Sequence, residues 1–413
     1  MNLVKTSLLS FIATVIKMLS GLVINKAVAI FIGPAGLAII GQFQNIQGII
    51  RTVAQGGINS GITKYTAEYY NDELQRANLW STSLKITIGL SLVVSFLIII
   101  TSKQLSIYTF NEGSYRYVFI VFGFTLFLFS INQLLLSVLN GLKEIREFIS
   151  INITQSLYSL VFTTFLIVFW QLDGALFALV TNQSIIFFVL LYRLRNHALI
   201  TWESLNKSFD KEIVIKLSKY SLMTLASIST VPVSQLYVRN FIGENLSWAD
   251  AGYWQAMMYI STMYLMVVTT ALSTYYLPRL SEINSRLELR RELIDGYKII
   301  TPLIALITIS VFFSKNIVLW ILFSEDFEPM LVLFKWQLLG DFLKINSWLL
   351  GYILIAKAKT KTVISTEIFF SITFAVLSVV FVDLFGLVGV SYAYAINYLF
   401  HLITMFFVTR RLR

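Results

Sequence analysis

Apolar runs of about 20 residues, the length needed to cross the hydrocarbon core of a bilayer, recur along this chain with short polar segments between them. They predict twelve spans, near residues 6–31, 36–62, 80–101, 117–140, 148–170, 174–192, 217–241, 250–277, 299–322, 331–355, 362–382 and 387–408. The second is the most telling. Between Gly36 and Ile62 it is long and apolar enough to cross a membrane, yet Gln44, Gln47, Arg51, Gln55 and Asn59 recur at helical spacing and fall on one stripe. An arginine facing lipid near the bilayer centre costs from about 3 to over 10 kcal/mol, so the stripe predicts a helix lining a polar cavity inside an all-α polytopic membrane protein.

Other spans carry stripes of the same kind. Ser10, Thr14, Lys17, Gly21 and Asn25 share a face of span 1, Ser221, Thr224, Gln235 and Arg239 a face of span 7, and Gln337, Asp341, Lys344 and Trp348 a face of span 10. Ser130, Gln133 and Ser137 on span 4, with Asn152, Gln155 and Ser159 on span 5, are milder versions. The charges inside the spans are mostly cationic: Lys17, Lys26, Arg51, Arg239 and Lys344 lie deep, Lys85 and Lys335 nearer the ends, against Asp341 and Glu367. A cavity with that excess attracts an anion, and phosphate suits arginine forks and lysine point charges. Some of these residues have a plainer reading. Lys26 sits off its helix's stripe close to Phe31, where it can snorkel to the interface, and Lys85 and Lys335 read as interfacial. Asp341 and Lys344 are one helical turn apart and either neutralise each other or form a switchable pair. Pro232 and Pro302 should bend their helices.

Composition narrows the class further. Of 413 residues, 57% are hydrophobic and 13% charged, where soluble domains carry about 25% charged residues. With the N-terminus placed inside, 22 of the 32 lysines and arginines fall in cytoplasmic segments, three outside and seven within spans, so both termini are expected in the cytoplasm. That topology accounts for the net charge of +10, and no basic soluble domain is present to dock nucleic acid. The first apolar run is too long for a signal-peptide core and meets Phe31-Ile-Gly-Pro34 instead of a small-residue cleavage site, so it is expected to be retained. Absent cysteines exclude thiolate chemistry. His197 and His401 form no metal spacing and read as structural; no metal, cofactor or catalytic residue is predicted, and no P-loop or triad is evident.

An offset of about 210 residues relates the two halves. Phe31-Ile-Gly33 is echoed by Phe241-Ile-Gly243, Lys64-Tyr-Thr-Ala-Glu68 by Arg279-Leu-Ser-Glu282, and Thr14, Asn25 and Asn45 map onto Thr224, Gln235 and Gln255. This predicts an N-lobe over 1–200, a cytoplasmic linker over 201–216 and a C-lobe over 217–413, six helices in each lobe, related by a pseudo-symmetry axis along the membrane normal and suited to alternating access.

The segments Phe31-Ile-Gly-Pro34-Ala-Gly36-Leu37, Gly61-Ile-Thr-Lys64-Tyr65, Trp336-Gln337-Leu-Leu-Gly340-Asp341-Phe-Leu-Lys344 and Gly351-Tyr352-Ile-Leu-Ile-Ala356-Lys357-Ala358 resemble the Wzx-type flippases of the polysaccharide transporter family, within the multidrug/oligosaccharidyl-lipid/polysaccharide exporter superfamily. Within that family the chain is most similar to translocases of enterobacterial common antigen and O-antigen units. The resemblance implies a V-shaped pair of six-helix bundles that moves an undecaprenyl-diphosphate-linked oligosaccharide from the cytoplasmic to the periplasmic leaflet of a Gram-negative inner membrane. It places Lys17, Lys26, Asp341 and Lys344 in family-like segments, whereas Arg51 rests on the stripe alone. Polymerase and chain-length proteins of the same pathway are the implied partners. The substrate site is expected to comprise Lys17, Asn25, Lys26, Gln44, Gln47, Arg51, Gln55, Asn59, Gln235, Arg239 and Lys344, with Asp341 or Glu367 coupling transport to H+ or Na+. Two other readings are a cation-coupled multidrug exporter, which should show more intramembrane carboxylates, and a polysaccharide polymerase or ligase, which should show a large outer loop.

Overall fold

In a computed structural model, residues 3–195, 197–283, 285–357 and 359–410 are described. Arg411 and Arg413, which contribute to the charge asymmetry, Ala358, and the side chains of Lys5 and Ser10 lie outside what is described. Each expected span falls on helix. The long elements in the first half are α1 (Leu3–Phe31), α2 (Gly33–Ala54), α3 (Asn59–Glu68), α4 (Glu73–Ile100), α5 (Ser102–Phe110), α6 (Arg116–Gly141) and α7 (Ile145–Leu194), followed by the short α8 (Trp202–Leu205). The second half holds α9 (Lys211–Asn245), α10 (Trp248–Ala271), a π-helical turn over Leu272–Tyr276, α11 (Leu277–Glu282), α12 (Arg286–Phe313), α13 (Lys315–Leu322), a 3-10 segment over Glu325–Leu333, α14 (Phe334–Ala356), α15 (Thr360–Phe385) and α16 (Val388–Thr409). Among the described residues, eight helices are long and apolar enough to cross a membrane. The remaining expected crossings fall on α2, α9 and α10, whose polar positions lower their hydropathy, and on the second arm of α7.

Two expectations about these elements are corrected. Span 2 is not one helix: α2 ends at Ala54, Gly56 and Gly57 take φ of +67° and +63°, and α3 begins at Asn59. Adjacent left-handed residues cannot continue a right-handed helix, and glycine adopts them without a Cβ clash. Spans 9 and 10 are also longer assemblies than read, because α12 begins at Arg286 and α14 is preceded by the 3-10 segment containing Pro329.

Helix α7 is a hairpin whose arms meet at Gln171, the single non-helical residue within it, at φ 46°. Arg193 reaches Glu147 at 3.6 Å and Ser150 Oγ at 2.6 Å, whereas a straight helix would hold positions 147 and 193 about 70 Å apart. Asn182 ties the arms together by donating to Ser159 Oγ and Thr163 Oγ1 at 3.0 and 2.9 Å. The turn closes so tightly that a Cβ on Gly174 would lie 2.1 Å from the Leu166 carbonyl oxygen. Pro232 and Pro302 lie within uninterrupted α9 and α12.

The chain divides into two compact units, Met1–Ile32 with Gln42–Ser229, and Gly33–Gly41 with Thr230–Arg413. The division therefore falls inside α9, beyond the linker read at 201–216. Its physical reason is that Ile213 and Leu217, at the start of α9, bury themselves in the unit 1 core with Trp80, Leu139 and Leu190. Lys216 also donates to Tyr69 Oη of α3 at 3.0 Å. The core of unit 2 gathers Leu272, Ile304, Ile345, Leu349, Ile353 and Met405 from α12, α14, α16 and the π turn.

Candidate functional site

Each unit contains its own cavity, that of unit 1 mainly polar and that of unit 2 mainly apolar and aromatic with a few polar and charged groups. In unit 1, a cavity of about 340 Å³ is walled by Lys17 of α1, Thr63 of α3, Gln133, Ser137 and Asn140 of α6, and residues of both arms of α7, among them Asn152, Gln155 and Gln183. The spacing of three and four residues along α6 and α7 brings these side chains to one face of each helix. The side chains of Lys17, Asn140 and Gln155 make no hydrogen bond or ion pair with other described residues, and those of Lys17 and Asn140 are exposed, so their polar atoms are open to an incoming ligand.

In unit 2, a cavity of about 320 Å³ collects Gln235 of α9, Lys344 and Trp348 of α14, Glu367 of α15, and Tyr394, Asn397, Tyr398 and His401 of α16. The Lys344 ammonium lies 5.0, 5.5 and 6.0 Å from the ring centroids of Trp348, Tyr398 and Tyr394, and has no hydrogen-bond acceptor or ion pair among the described residues. Rings around a cation stabilise its charge while leaving its N–H donors free for an incoming anion. His401 Nδ1 pairs with Ser347 Oγ and its ring packs edge-on against Phe370 at 4.7 Å, which fits a wall-building role.

Asp341 is not open to that cavity. Fully buried, it accepts hydrogen bonds from Ser261 Oγ at 2.6 Å, from Tyr394 Oη at 2.8 Å and from Tyr264 Oη. It makes no ion pair with Lys344 among the described residues, so of the two sequence readings for this pair, simple neutralisation by contact is not what the helix provides. The three hydroxyls come from α10 and α16, and sequence reasoning missed all of them. Tyr394 alone among them also lines the cavity.

The remaining predicted residues are dispersed. Gln47 Nε2 and Arg51 Nη2 both donate to the Leu179 carbonyl oxygen of α7 at 2.9 Å, and the Arg51 guanidinium stacks 4.3 Å from the Phe129 ring centroid. Gln55 and Asn59 hydrogen-bond each other across the α2–α3 break, and Gln44 is exposed. Asn25 is buried and Lys26 half-buried on α1. Arg239, 2% exposed, donates to Gln255 Oε1 at 2.5 Å and lies 5.6 Å from the Trp254 ring. The single stripe read on span 2 thus divides among an inter-helix contact, a helix break and the surface. His197 Nδ1 accepts from the backbone of Leu199 and Ile200, a loop-building role.

Residues 3–284 match the family described as polysaccharide biosynthesis protein. The chain belongs to that family. It is 28% identical over 399 residues to the lipid III flippase of Escherichia coli (strain K12), covering 97% of this chain and 96% of the relative, and equally so to the lipid III flippase of Shigella flexneri. Among solved structures it resembles an inward-facing MATE family multidrug resistance transporter of the MOP superfamily, with a TM-score of 0.77, 15% identity and 96% and 94% of the two chains covered. It also resembles a MOP superfamily transporter from Pyrococcus furiosus, with a TM-score of 0.71, 15% identity and 99% and 94% covered. These structural likenesses show that the chain has a helical fold of the MATE/MOP type, and its long apolar helices and flippase relatives make it a multi-pass membrane protein.

Proposed function

We propose that this chain is a flippase that moves an undecaprenyl-diphosphate-linked oligosaccharide from the cytoplasmic to the periplasmic leaflet of a bacterial inner membrane. The observation that carries the reading is the match to two lipid III flippases along nearly the whole chain. The two cavities support it on physical grounds. Each sets one lysine without an ion pair among hydrogen-bonding or aromatic groups inside an otherwise apolar helical protein, which favours an anionic, hydroxyl-rich headgroup over a neutral or cationic one.

In this reading twelve helices cross the membrane in two lobes of six, with both termini cytoplasmic. The headgroup passes between alternately opened faces while the polyprenyl tail stays in lipid. Lys17 and Lys344 contact the substrate, with Asn25 and Lys26 contributing from the helix of Lys17 and Gln235 from the cavity of Lys344. Arg51, Gln47 and Arg239 act by holding helices in register, and Gln44, Gln55 and Asn59 complete the polar face of the α2–α3 segment. A proton or sodium ion drives the cycle through Asp341 or Glu367. Glu367 beside the aromatic wall also favours a second reading, an organic-cation exporter, although Lys344 in the same cavity opposes a cationic substrate by like charge.

The deciding experiment reconstitutes the protein alone in proteoliposomes and measures translocation of defined undecaprenyl-diphosphate glycans against efflux of cationic dyes. Glycan movement without dye efflux is expected. Dye efflux without glycan movement would overturn the proposal.

A further inference from the structure

The unit 1 cavity differs from that of unit 2 in chemistry. Five carboxamides line it, from Gln133, Asn140, Asn152, Gln155 and Gln183, with Lys17 as the one cation, and none of its lining residues is acidic. Few of these groups are spent within the protein. Asn152 donates to the Phe148 carbonyl at 2.7 Å and Gln133 donates to Gln183 at a long 3.3 Å, while Asn140 and Gln155 have no partner among the described residues. A carboxamide presents two N–H donors and a carbonyl acceptor together. A phosphate diester or diphosphate accepts hydrogen bonds only, so it would leave the carbonyl halves of Gln133, Asn140, Asn152 and Gln155 without a donor from the ligand, and a single lysine is a poor match for its charge. A sugar ring is different: its hydroxyls and any acylamino groups donate and accept from adjacent atoms, which pairs with both halves of an amide.

We infer that the unit 1 cavity is the subsite for the glycan, reading ring hydroxyl and acylamino groups through Asn140 and Gln155, and not the subsite for the diphosphate. This rests on the flippase reading above and adds to it a division of labour, in which the sugar-linked charge is left to other cations of the protein. Lys17, an exposed residue lining the same cavity, serves an acidic substituent or a hydroxyl of the same glycan.

The test uses the full-length protein in lipid nanodiscs and two probes: undecaprenyl diphosphate, and the lipid-linked oligosaccharide that accumulates in cells lacking this protein. Wild type is expected to bind the glycan-bearing lipid at least about tenfold more tightly, since each net neutral hydrogen bond is worth about fivefold in affinity. The double variant Asn140→Ala with Gln155→Ala should lose that preference and keep its affinity for undecaprenyl diphosphate. The pair Asn140→Leu with Gln155→Met, which keeps bulk and removes hydrogen bonding, should behave the same way, and a thermal melt within a few degrees of wild type establishes that both pairs fold. An equal loss for the two lipids would place the diphosphate in this cavity, and unchanged binding of both would make it a water-filled space; either overturns the inference while leaving the flippase reading intact. Wild type that binds neither lipid would overturn the flippase reading itself, and the inference with it.

Discussion

The hydroxyl of Tyr394 donates a 2.8 Å hydrogen bond to the buried Asp341 carboxylate while its ring forms part of the wall that faces Lys344. One side chain therefore touches both a carboxylate sealed from the cavity and the cavity itself. Because Ser261 and Tyr264 supply the other donors from α10, any change in the charge of Asp341 must be felt by α10, α14 and α16 together. That is the arrangement a coupling group needs, and it does not depend on contact with Lys344.

The first prediction follows from that absence of contact. Asp341→Asn should lower stability by about 2–4 kcal/mol, because three hydroxyls lose a charged acceptor, and Lys344→Gln should cost less than about 1 kcal/mol because it breaks no ion pair. In a double-mutant cycle the coupling should stay below about 1 kcal/mol, because the two groups share the Tyr394 side chain but form no ion pair. Thermal melts of the four purified proteins decide the matter. Recovery of stability in the double variant would show that the two charges neutralise each other after all.

The sequence predicts a cavity-lining role for both Lys17 and Arg51, and their surroundings separate them. Lys17→Ala removes a side chain with no partner among the described residues, so membrane levels and melting should stay near wild type while surface glycan falls sharply. Arg51→Ala removes a buried charge-assisted bond to the Leu179 carbonyl and a cation–π contact with Phe129, with an expected loss of about 2–4 kcal/mol. Export should fall in step with the amount of folded protein, which immunoblots of membrane fractions alongside glycan assays would measure. An Arg51→Ala protein that is fully stable yet inactive would return Arg51 to the substrate path.

The long apolar runs were legible because hydrophobic length alone identifies membrane helices. The cavities were legible only in part. Gln133–Ser137–Asn140 and Asn152–Gln155 recur at helical spacing and announce a polar face, but Gln183 joins them only because α7 folds back on itself. The cage around Asp341 was hidden for the same reason, its donors lying 53 to 80 residues away in sequence. Two further signals lie in the sequence itself. Tyr394, Asn397, Tyr398 and His401 repeat at intervals of three and four residues on span 12, a polar aromatic stripe in an otherwise apolar helix. The Gly56-Gly57 pair punctuates span 2, as paired glycines do.

Topology is open to a direct check in this cysteine-free chain. Glu203→Cys and Glu325→Cys, both at exposed positions, place one label in the segment before α9 and one in the segment before α14. An impermeant thiol reagent should label Glu325→Cys in intact spheroplasts and Glu203→Cys only after lysis. The opposite pattern would invert the proposed orientation.

The break between α2 and α3 yields a prediction of sign. At Gly57 the backbone is left-handed at φ +63°, and an added Cβ would come within 3.2 Å of the Ser221 carbonyl oxygen and of Thr224 Cβ. Gly57→Ala should therefore destabilise, by about 1–2 kcal/mol from the backbone alone, and should loosen the contact of α3 with α9. Gly48 lies in the interior of α2 with open space where a Cβ would project, so Gly48→Ala should stabilise by up to about 1 kcal/mol through helix propensity. Melting temperatures of the two variants should move in opposite directions from wild type. A stabilised Gly57→Ala protein would mean that the helix runs on unbroken through residue 57, as the hydrophobic pattern by itself suggests, and that the polar stripe from Gln44 to Asn59 is continuous.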